Sequence, residues 1–193
     1  MKKPKEKPTK LLWIDLEMTG LDAQNDFILE VAAEITDFDL KKVASYQARL
    51  KYPREQIAAR MALSPFWAEM AASRDDFLDA LATGKSPETV EQELADLVQK
   101  HFGTEPAILA GNSIHADRSF IRRWWPKLEA KLHYRMLDVT SLKVYMQGRY
   151  DLQYEKKEVH RAFDDIQESI AEWRFYIDWL SRRDEESLYS KEQ

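Results

Sequence analysis

The 193-residue chain contains no cysteine and only five glycines. The absence of cysteine excludes disulfide bonds and thiolate chemistry. No apolar run reaches the roughly 18 residues that a membrane-spanning helix needs. Residues 1–10 are basic but lack the apolar segment of a secretory signal. The cytoplasm is therefore the expected location, and no membrane partner is expected.

The chain also lacks an excess of positive charge. Its 34 Asp and Glu residues outnumber its 29 Lys and Arg residues, which gives a formal net charge of −5 at pH 7. Proteins that coat long nucleic acids usually carry a basic stripe that neutralises many phosphates. An acidic protein can still bind nucleic acid where bound metal ions supply positive charge. The charge balance therefore favours short substrates, or contacts with few phosphates.

The length and apolar content are those of one folded domain. We expect a disordered basic tail over residues 1–10, a single domain over 11–182 and a flexible C-terminal tail over 183–193. Apolar and alternating runs predict strands over 11–16, 28–38, 43–50, 107–110 and 134–137. Apolar spacing and capping residues predict helices over 74–82, 87–102, 116–125, 141–146 and 162–180. This order predicts an α/β fold: a mixed five-stranded sheet, with the first three strands as an antiparallel meander, flanked by helices.

Two carboxylates stand at the end of the first predicted strand. Asp15 and Glu17 are two residues apart, so they project to the same face as Leu11 and Trp13. That face is apolar and should be buried. Two acids on a buried face repel each other unless a divalent cation compensates. The alternative is a strand end that already reaches solvent, where two acids cost little.

Further titratable residues follow on two other elements. Asp117 comes after the turn that ends the fourth strand, where mixed sheets often bind ligands, although a surface salt bridge is an equally good explanation. His160, Asp164 and Asp165 precede or begin the last helix, where acids are also favoured by the helix dipole. Periodicity does not choose between the two aspartates. Together, carboxylates and a histidine on three elements indicate two-metal phosphoryl hydrolysis with imidazole as the base.

Four runs, in order, resemble the motifs of the oligoribonuclease family. These runs are Trp13–Leu21, Gly111–Arg118, His133–Val139 and His160–Ser169. The family belongs to the DEDDh branch of the 3′→5′ exonucleases, so the resemblance implies a ribonuclease H-like fold. It covers about residues 11–180 and is looser over 50–105. There, Ala72 stands where family members commonly carry a histidine.

The resemblance implies the metal site. It identifies Asp15, Glu17, Asp117 and Asp165 as ligands of two divalent ions, Mg²⁺ or Mn²⁺. It also identifies His160 as the general base.

The resemblance implies substrate contacts as well. Leu21 resembles a leucine that wedges between the two bases of a dinucleotide. Trp67 resembles an aromatic residue that packs at a base, although core packing is the usual role of a tryptophan. The residues that resemble a cap over the 5′ phosphate are Ser113, Arg135 and Thr140. Tyr134 resembles a residue that reaches into the partner subunit's site.

The implied function is 3′→5′ hydrolysis of very short RNA, including dinucleotides, to nucleoside 5′-monophosphates by a homodimer. One alternative is a DEDDh exonuclease that acts on DNA ends or on longer RNA 3′ tails. Leu21 and the Tyr134–Arg135 pair argue against it. Another alternative is a nucleic-acid-binding module without catalysis, and the complete set of acids and histidine argues against that.

Overall fold

A five-stranded sheet lies at the centre of the protein, in the strand order β3–β2–β1–β4–β5. The computed structural model describes residues 7–155 and 162–189, with side chains as far as Arg183. The strands are β1 (Lys10–Met18), β2 (Ile28–Asp37), β3 (Lys42–Arg49), β4 (Ala107–Gly111) and β5 (Leu132–Asp138). Strands β1, β2 and β3 pair antiparallel, and β4 and β5 run parallel to β1. The predicted mixed sheet is confirmed.

Helices follow the meander and connect the remaining strands. Between β3 and β4 the chain forms α1 (Arg54–Met61), α2 (Pro65–Glu69), α3 (Ala71–Ala80) and α4 (Pro87–Phe102). After β4 come α5 (His115–Trp124), α6 (Pro126–Glu129), α7 (Val139–Tyr150) and α8 (Ala162–Tyr189), with β5 between α6 and α7. None of the helices in the described parts of the chain is long and apolar enough to cross a membrane.

The two ends of the chain differ from the predicted tails in part. Helix α8 continues to Tyr189, so residues 183–189 of the predicted flexible tail are helical. Lys10 of the predicted basic tail already belongs to β1. Residues 1–6 lie outside the described residues.

Alternate residues of β1 enter two different apolar cores. Its even-numbered residues, such as Leu12 and Ile14, pack in the core that includes α4 and α5. Leu11 and Trp13 pack in the core beneath the first turns of α8. Asp15 and Glu17 continue the second series, because side chains of a strand alternate between faces. The sheet therefore directs both acids towards α8.

Candidate active site

Three carboxylates converge where β1 meets α8. Oxygen atoms of Asp15, Glu17 and Asp165 all lie within 4.8 Å of one another, and each residue is partly exposed. Clusters of carboxylate oxygens at such distances are the usual ligands of hard divalent cations. Asp164, the alternative that periodicity left open, is exposed and lines a different cavity with Arg49. The orientation of α8 thus brings Asp165, and not Asp164, to the end of β1.

Asp117 reaches the same region from α5. It is only 7% exposed, and its Oδ1 accepts a hydrogen bond from the Leu16 N–H at 3.0 Å. Burial raises the pKa of Asp117 to about 7; the Leu16 hydrogen bond opposes the increase, and the charges of Glu17 and Asp138 add to it. A buried carboxylate among other acids is favoured in its charged form when a cation binds beside it. These oxygen donors fit Mg²⁺ or Mn²⁺. The predicted base, His160, lies outside the described residues.

A hydrogen-bonded turn joins the ends of β4 and β5. The Ser113 N–H donates to Asp138 Oδ1 at 3.0 Å and to Thr140 Oγ1 at 2.9 Å. The hydroxyl oxygens of Ser113 and Thr140 lie 3.2 Å apart. These contacts support Ser113 in a left-handed conformation with φ of 48°. Two of the three residues predicted to cap a phosphate are therefore adjacent.

Asn112 connects this turn to α8. Its Nδ2 donates to Ser169 Oγ at 3.0 Å and to Glu172 Oε2 at 3.1 Å. Glu172 is fully buried and lies 3.3 Å from Lys143 Nζ. Asp165, Ser169 and Glu172 recur every three or four residues and so share one side of α8. Glu172 was not among the residues predicted to be functional; its signal is an acid on a helix whose other inward-facing residues are largely apolar.

Tyr134 and Arg135 lie apart from the turn, closer to the start of β5. Tyr134 is 72% exposed and stacks on His133, with ring centroids 4.5 Å apart. The Arg135 guanidinium lies 5.3 Å from the centroid of the Tyr134 ring. Both side chains are exposed on this edge strand, and Met136 and Tyr145 are exposed as well. Arg135 lines a cavity together with Asp138 and with Ser141, the residue that follows Thr140.

A cavity of about 630 Å³ opens beside Glu17. Its lining includes Leu21 from the β1–β2 loop and Trp67 from α2, the two residues predicted to contact bases. Leu21 is 84% exposed, whereas Trp67 is 2% exposed and belongs to an apolar cluster formed with α1 and α3. The Trp67 indole N–H donates to the Thr19 carbonyl at 2.9 Å. Trp67 therefore has the core packing that tryptophan usually adopts while also lining the cavity.

Comparisons with known proteins agree with this architecture. The sequence matches the family model described as Exonuclease over residues 12–173. An oligoribonuclease of Francisella tularensis subsp. tularensis (strain WY96-3418) is 40% identical over 168 residues, which cover 86% of this chain and 93% of the relative.

Solved exonuclease structures resemble the protein in fold. E. coli exonuclease I in complex with a dT13 oligonucleotide has a TM-score of 0.57 at 14% identity, over 85% of this chain and 40% of that chain. Exonuclease I of Methylocaldum szegediense has a TM-score of 0.59 at 16% identity, over 85% of this chain and 39% of that chain. This chain thus spans less than half the length of either exonuclease I chain, and the likeness concerns the fold alone. By its family match and its identity to a curated relative, the protein belongs to the exonuclease family, in the group of the oligoribonucleases.

Proposed function

We propose that this protein is a metal-dependent 3′→5′ exoribonuclease that hydrolyses dinucleotides and other very short RNA to nucleoside 5′-monophosphates. The observation that carries the proposal is the convergence of Asp15, Glu17 and Asp165 within 4.8 Å, next to the buried Asp117. The cavity beside Glu17 supplies room for a base. The printed name of the curated relatives, oligoribonuclease, supports RNA as the substrate.

The four acids are the proposed ligands of two divalent ions, Mg²⁺ or Mn²⁺. Bound ions of this kind supply positive charge to the attacking and leaving oxygens of phosphoryl transfer. Asp15, Glu17 and Asp165 approach from the sheet and from α8, and Asp117 approaches from α5. Because Asp117 is buried, its charge acts in a medium of low dielectric constant, where it interacts more strongly than in water.

His160 is the proposed general base. It stands five residues before Asp165, in the segment that leads into α8. An imidazole titrates close to neutral pH, so it can accept a proton from the attacking water at physiological pH. The order of His160 and Asp165 in the motif supports this role.

The cavity and the Ser113–Thr140 turn are the proposed binding sites of a short substrate. The volume of about 630 Å³ falls within the roughly 300–1,000 Å³ of pockets for small ligands. Leu21 and Trp67 contact the bases. Stacking and apolar contact are indifferent to base identity, so these contacts suit a substrate of any sequence. Ser113 and Thr140 bind the 5′ phosphate, together with Arg135. Closure at the 5′ phosphate explains a preference for very short RNA.

We further propose a cytoplasmic homodimer in which Tyr134 reaches the partner's site. The support is the exposed edge strand β5 and the apolar residues around it, which include Met136 and Tyr145. An exposed edge strand with an apolar surface promotes association unless another chain covers it. Sedimentation of the purified protein should give the mass of a dimer, and Met136→Asp should give that of a monomer. A monomeric wild-type protein would refute the dimer.

The test is hydrolysis of a 5′-phosphorylated dinucleotide in Mn²⁺, with and without a chelator. We expect release of nucleoside 5′-monophosphates that the chelator abolishes, at a higher rate than release from a much longer RNA. A dinucleotide that remains intact overturns the proposal. Faster hydrolysis of the longer RNA or of DNA favours the alternative exonuclease function. His160→Ala should lower kcat about 10²- to 10⁴-fold while dinucleotide binding is retained.

A further inference from the structure

The cavity beside Glu17 has walls from two parts of the chain that are distant in sequence. The β1–β2 loop contributes Leu21, the segment that joins α1 to α2 contributes Leu63, and α2 contributes Phe66. All three side chains are exposed. The separation of these exposed side chains therefore depends on the buried contacts beneath them, which join the loop to α1 and α2.

The carboxylate of Asp26 contacts both walls. It is buried, and within the β1–β2 loop it accepts hydrogen bonds from the Thr19 hydroxyl at 2.8 Å and from the Asp22 N–H at 2.9 Å. On the other side, its Oδ1 accepts a hydrogen bond from Arg60 Nε of α1 at 2.6 Å. Hydrogen bonds between two charged groups are shorter and stronger than those between neutral groups.

The loop packs closely against this carboxylate at Gly20 and has one further hydrogen bond to the opposite wall. A Cβ atom at Gly20 would lie 2.6 Å from Asp26 Oδ2, so a larger residue there would displace the carboxylate. The Trp67 indole N–H donates to the Thr19 carbonyl and joins the same loop to α2. Among the described residues that line the cavity, Arg60 is the one basic side chain.

We infer that Asp26 and Arg60 form a clamp that keeps the two walls of the cavity at a fixed separation, so that Arg60 is a positioning residue for base binding. This inference rests on the proposed function, because it assigns the cavity to a base of a short RNA. Without the guanidinium, the loop loses its charged link to α1, and Leu21 adopts a wider range of positions. Base binding weakens, whereas the acidic cluster on β1 and α8 keeps its geometry.

The first test compares Arg60→Met with Arg54→Met. Methionine keeps most of the apolar stem and removes the charge, and Arg54 lies on the same helix but pairs with the exposed Asp79. For Arg60→Met we expect the KM for a dinucleotide to rise about tenfold. We expect kcat to change by less than about twofold. Arg54→Met should leave both constants unchanged. Arg60→Lys should have a KM close to that of the wild type, because its ammonium group can reach the same carboxylate.

The second test uses dinucleotides that lack the base of one nucleotide or the other. In the wild type, removal of the base that occupies the cavity should raise KM. In Arg60→Met the ratio of KM without this base to KM with it should be smaller than in the wild type. Hydrogen exchange supplies a readout without substrate: the backbone amides of residues 19–27 should exchange faster in Arg60→Met than in Arg54→Met.

The outcomes test the clamp and the proposed function separately. Unchanged exchange in the loop overturns the clamp whatever the activity. An equal rise in KM for the substrates with and without the base overturns the role of Arg60 in base positioning. A wild-type protein that leaves every dinucleotide intact overturns the proposed function, while exchange still tests the clamp.

Discussion

Two groups of buried and half-buried carboxylates in this protein have different surroundings. In the first group each acid has a basic partner: Glu30–Arg49 at 2.9 Å, Glu34–Lys42 at 3.3 Å, Asp26–Arg60 at 2.6 Å and Glu172–Lys143 at 3.3 Å. In the second group the acids face one another at the end of β1. The oxygens of Asp15, Glu17 and Asp165 lie within 4.8 Å, and Asp117 experiences the negative charge of Glu17.

The difference separates acids that are paired with basic side chains from acids that we propose bind metal ions. A buried charge that is paired and hydrogen-bonded can be tolerated, whereas one that faces like charges is costly. The charges of the first group are compensated by Lys and Arg side chains. We expect the buried Asp117 of the second group to gain stability when a cation binds beside it. Neutral substitution of Asp117 should therefore change stability in the opposite direction from neutral substitution of a paired acid such as Glu34.

The largest expected effect is on catalysis by the second group. Asp165→Asn should lower kcat about a thousandfold, because loss of one ligand removes several kcal/mol of charge stabilisation from the transition state. Asp164→Asn is the matched control, since Asp164 is the adjacent residue but is exposed and lines a different cavity. Its kcat should change by less than about twofold. Steady-state hydrolysis of a dinucleotide in saturating Mn²⁺ measures both values. Similar losses in the two variants would contradict the assignment of Asp165.

The choice between Asp164 and Asp165 shows where prediction from sequence ends. The two-residue period of β1 was enough to predict that Asp15 and Glu17 share a face, and the structure confirms it. Which side of α8 faces β1 depends on how Ala162 and Ile166 pack against the sheet. Apolar spacing indicates the buried side of α8, but it does not indicate which acid lies opposite the end of β1, so periodicity left both aspartates open. The family resemblance favoured Asp165, and the packing brings that residue to the cluster.

Partners that join distant elements were not predictable in the same way. Periodicity identifies which face of an element is buried, but it does not identify the residue that lies opposite. Arg60 follows Asp26 by 34 positions, and Asn112 precedes Glu172 by 60. Both pairs depend on the three-dimensional path of the chain. The start of the helix predicted over 87–102, in contrast, follows from local chemistry, because Ser86 caps it and Pro87 occupies its first position, and the predicted bounds are correct.

An intermediate effect is expected on stability when Asp117 is neutralised. Without metal, Asp117→Asn should unfold at a higher temperature than the wild type, because it removes a buried negative charge and can keep the hydrogen bond from Leu16. Addition of Mn²⁺ should stabilise the wild type by about 2–3 kcal/mol near 100 times its dissociation constant. The same concentration of Mn²⁺ should stabilise Asp117→Asn by a smaller free energy. Thermal unfolding with chelator and with Mn²⁺ measures both differences.

Glu34→Gln is the control from the first group. Glu34 lies 3.3 Å from Lys42 and accepts a hydrogen bond from Gln167 at 3.0 Å. This variant should be less stable than the wild type with or without metal, and its response to Mn²⁺ should equal that of the wild type. If Asp117→Asn behaved like Glu34→Gln, Asp117 would belong with the paired acids.

The smallest expected effect is the pH dependence of the Asp26–Arg60 pair. Burial acts to raise the pKa of Asp26, but hydrogen bonds from Arg60, the Asp22 N–H and Thr19 outweigh it and hold this pKa below its usual 3.8. The unfolded chain therefore binds a proton at a higher pH than the folded chain does. The stability from the pair is complete above the unfolded pKa and is lost as the pH falls through the folded pKa.

Urea unfolding of the wild type and Arg60→Met at several pH values measures this contribution. At neutral pH the free energies of unfolding should differ by about 1 kcal/mol, and the difference should shrink as Asp26 becomes protonated below about pH 4. A difference that stays constant over this range would mean that Arg60 stabilises the protein through the packing of its apolar stem. In that case the charge of Arg60 would not stabilise the Asp26 carboxylate, and Asp26 would not belong to the group of acids that are stabilised by a basic partner.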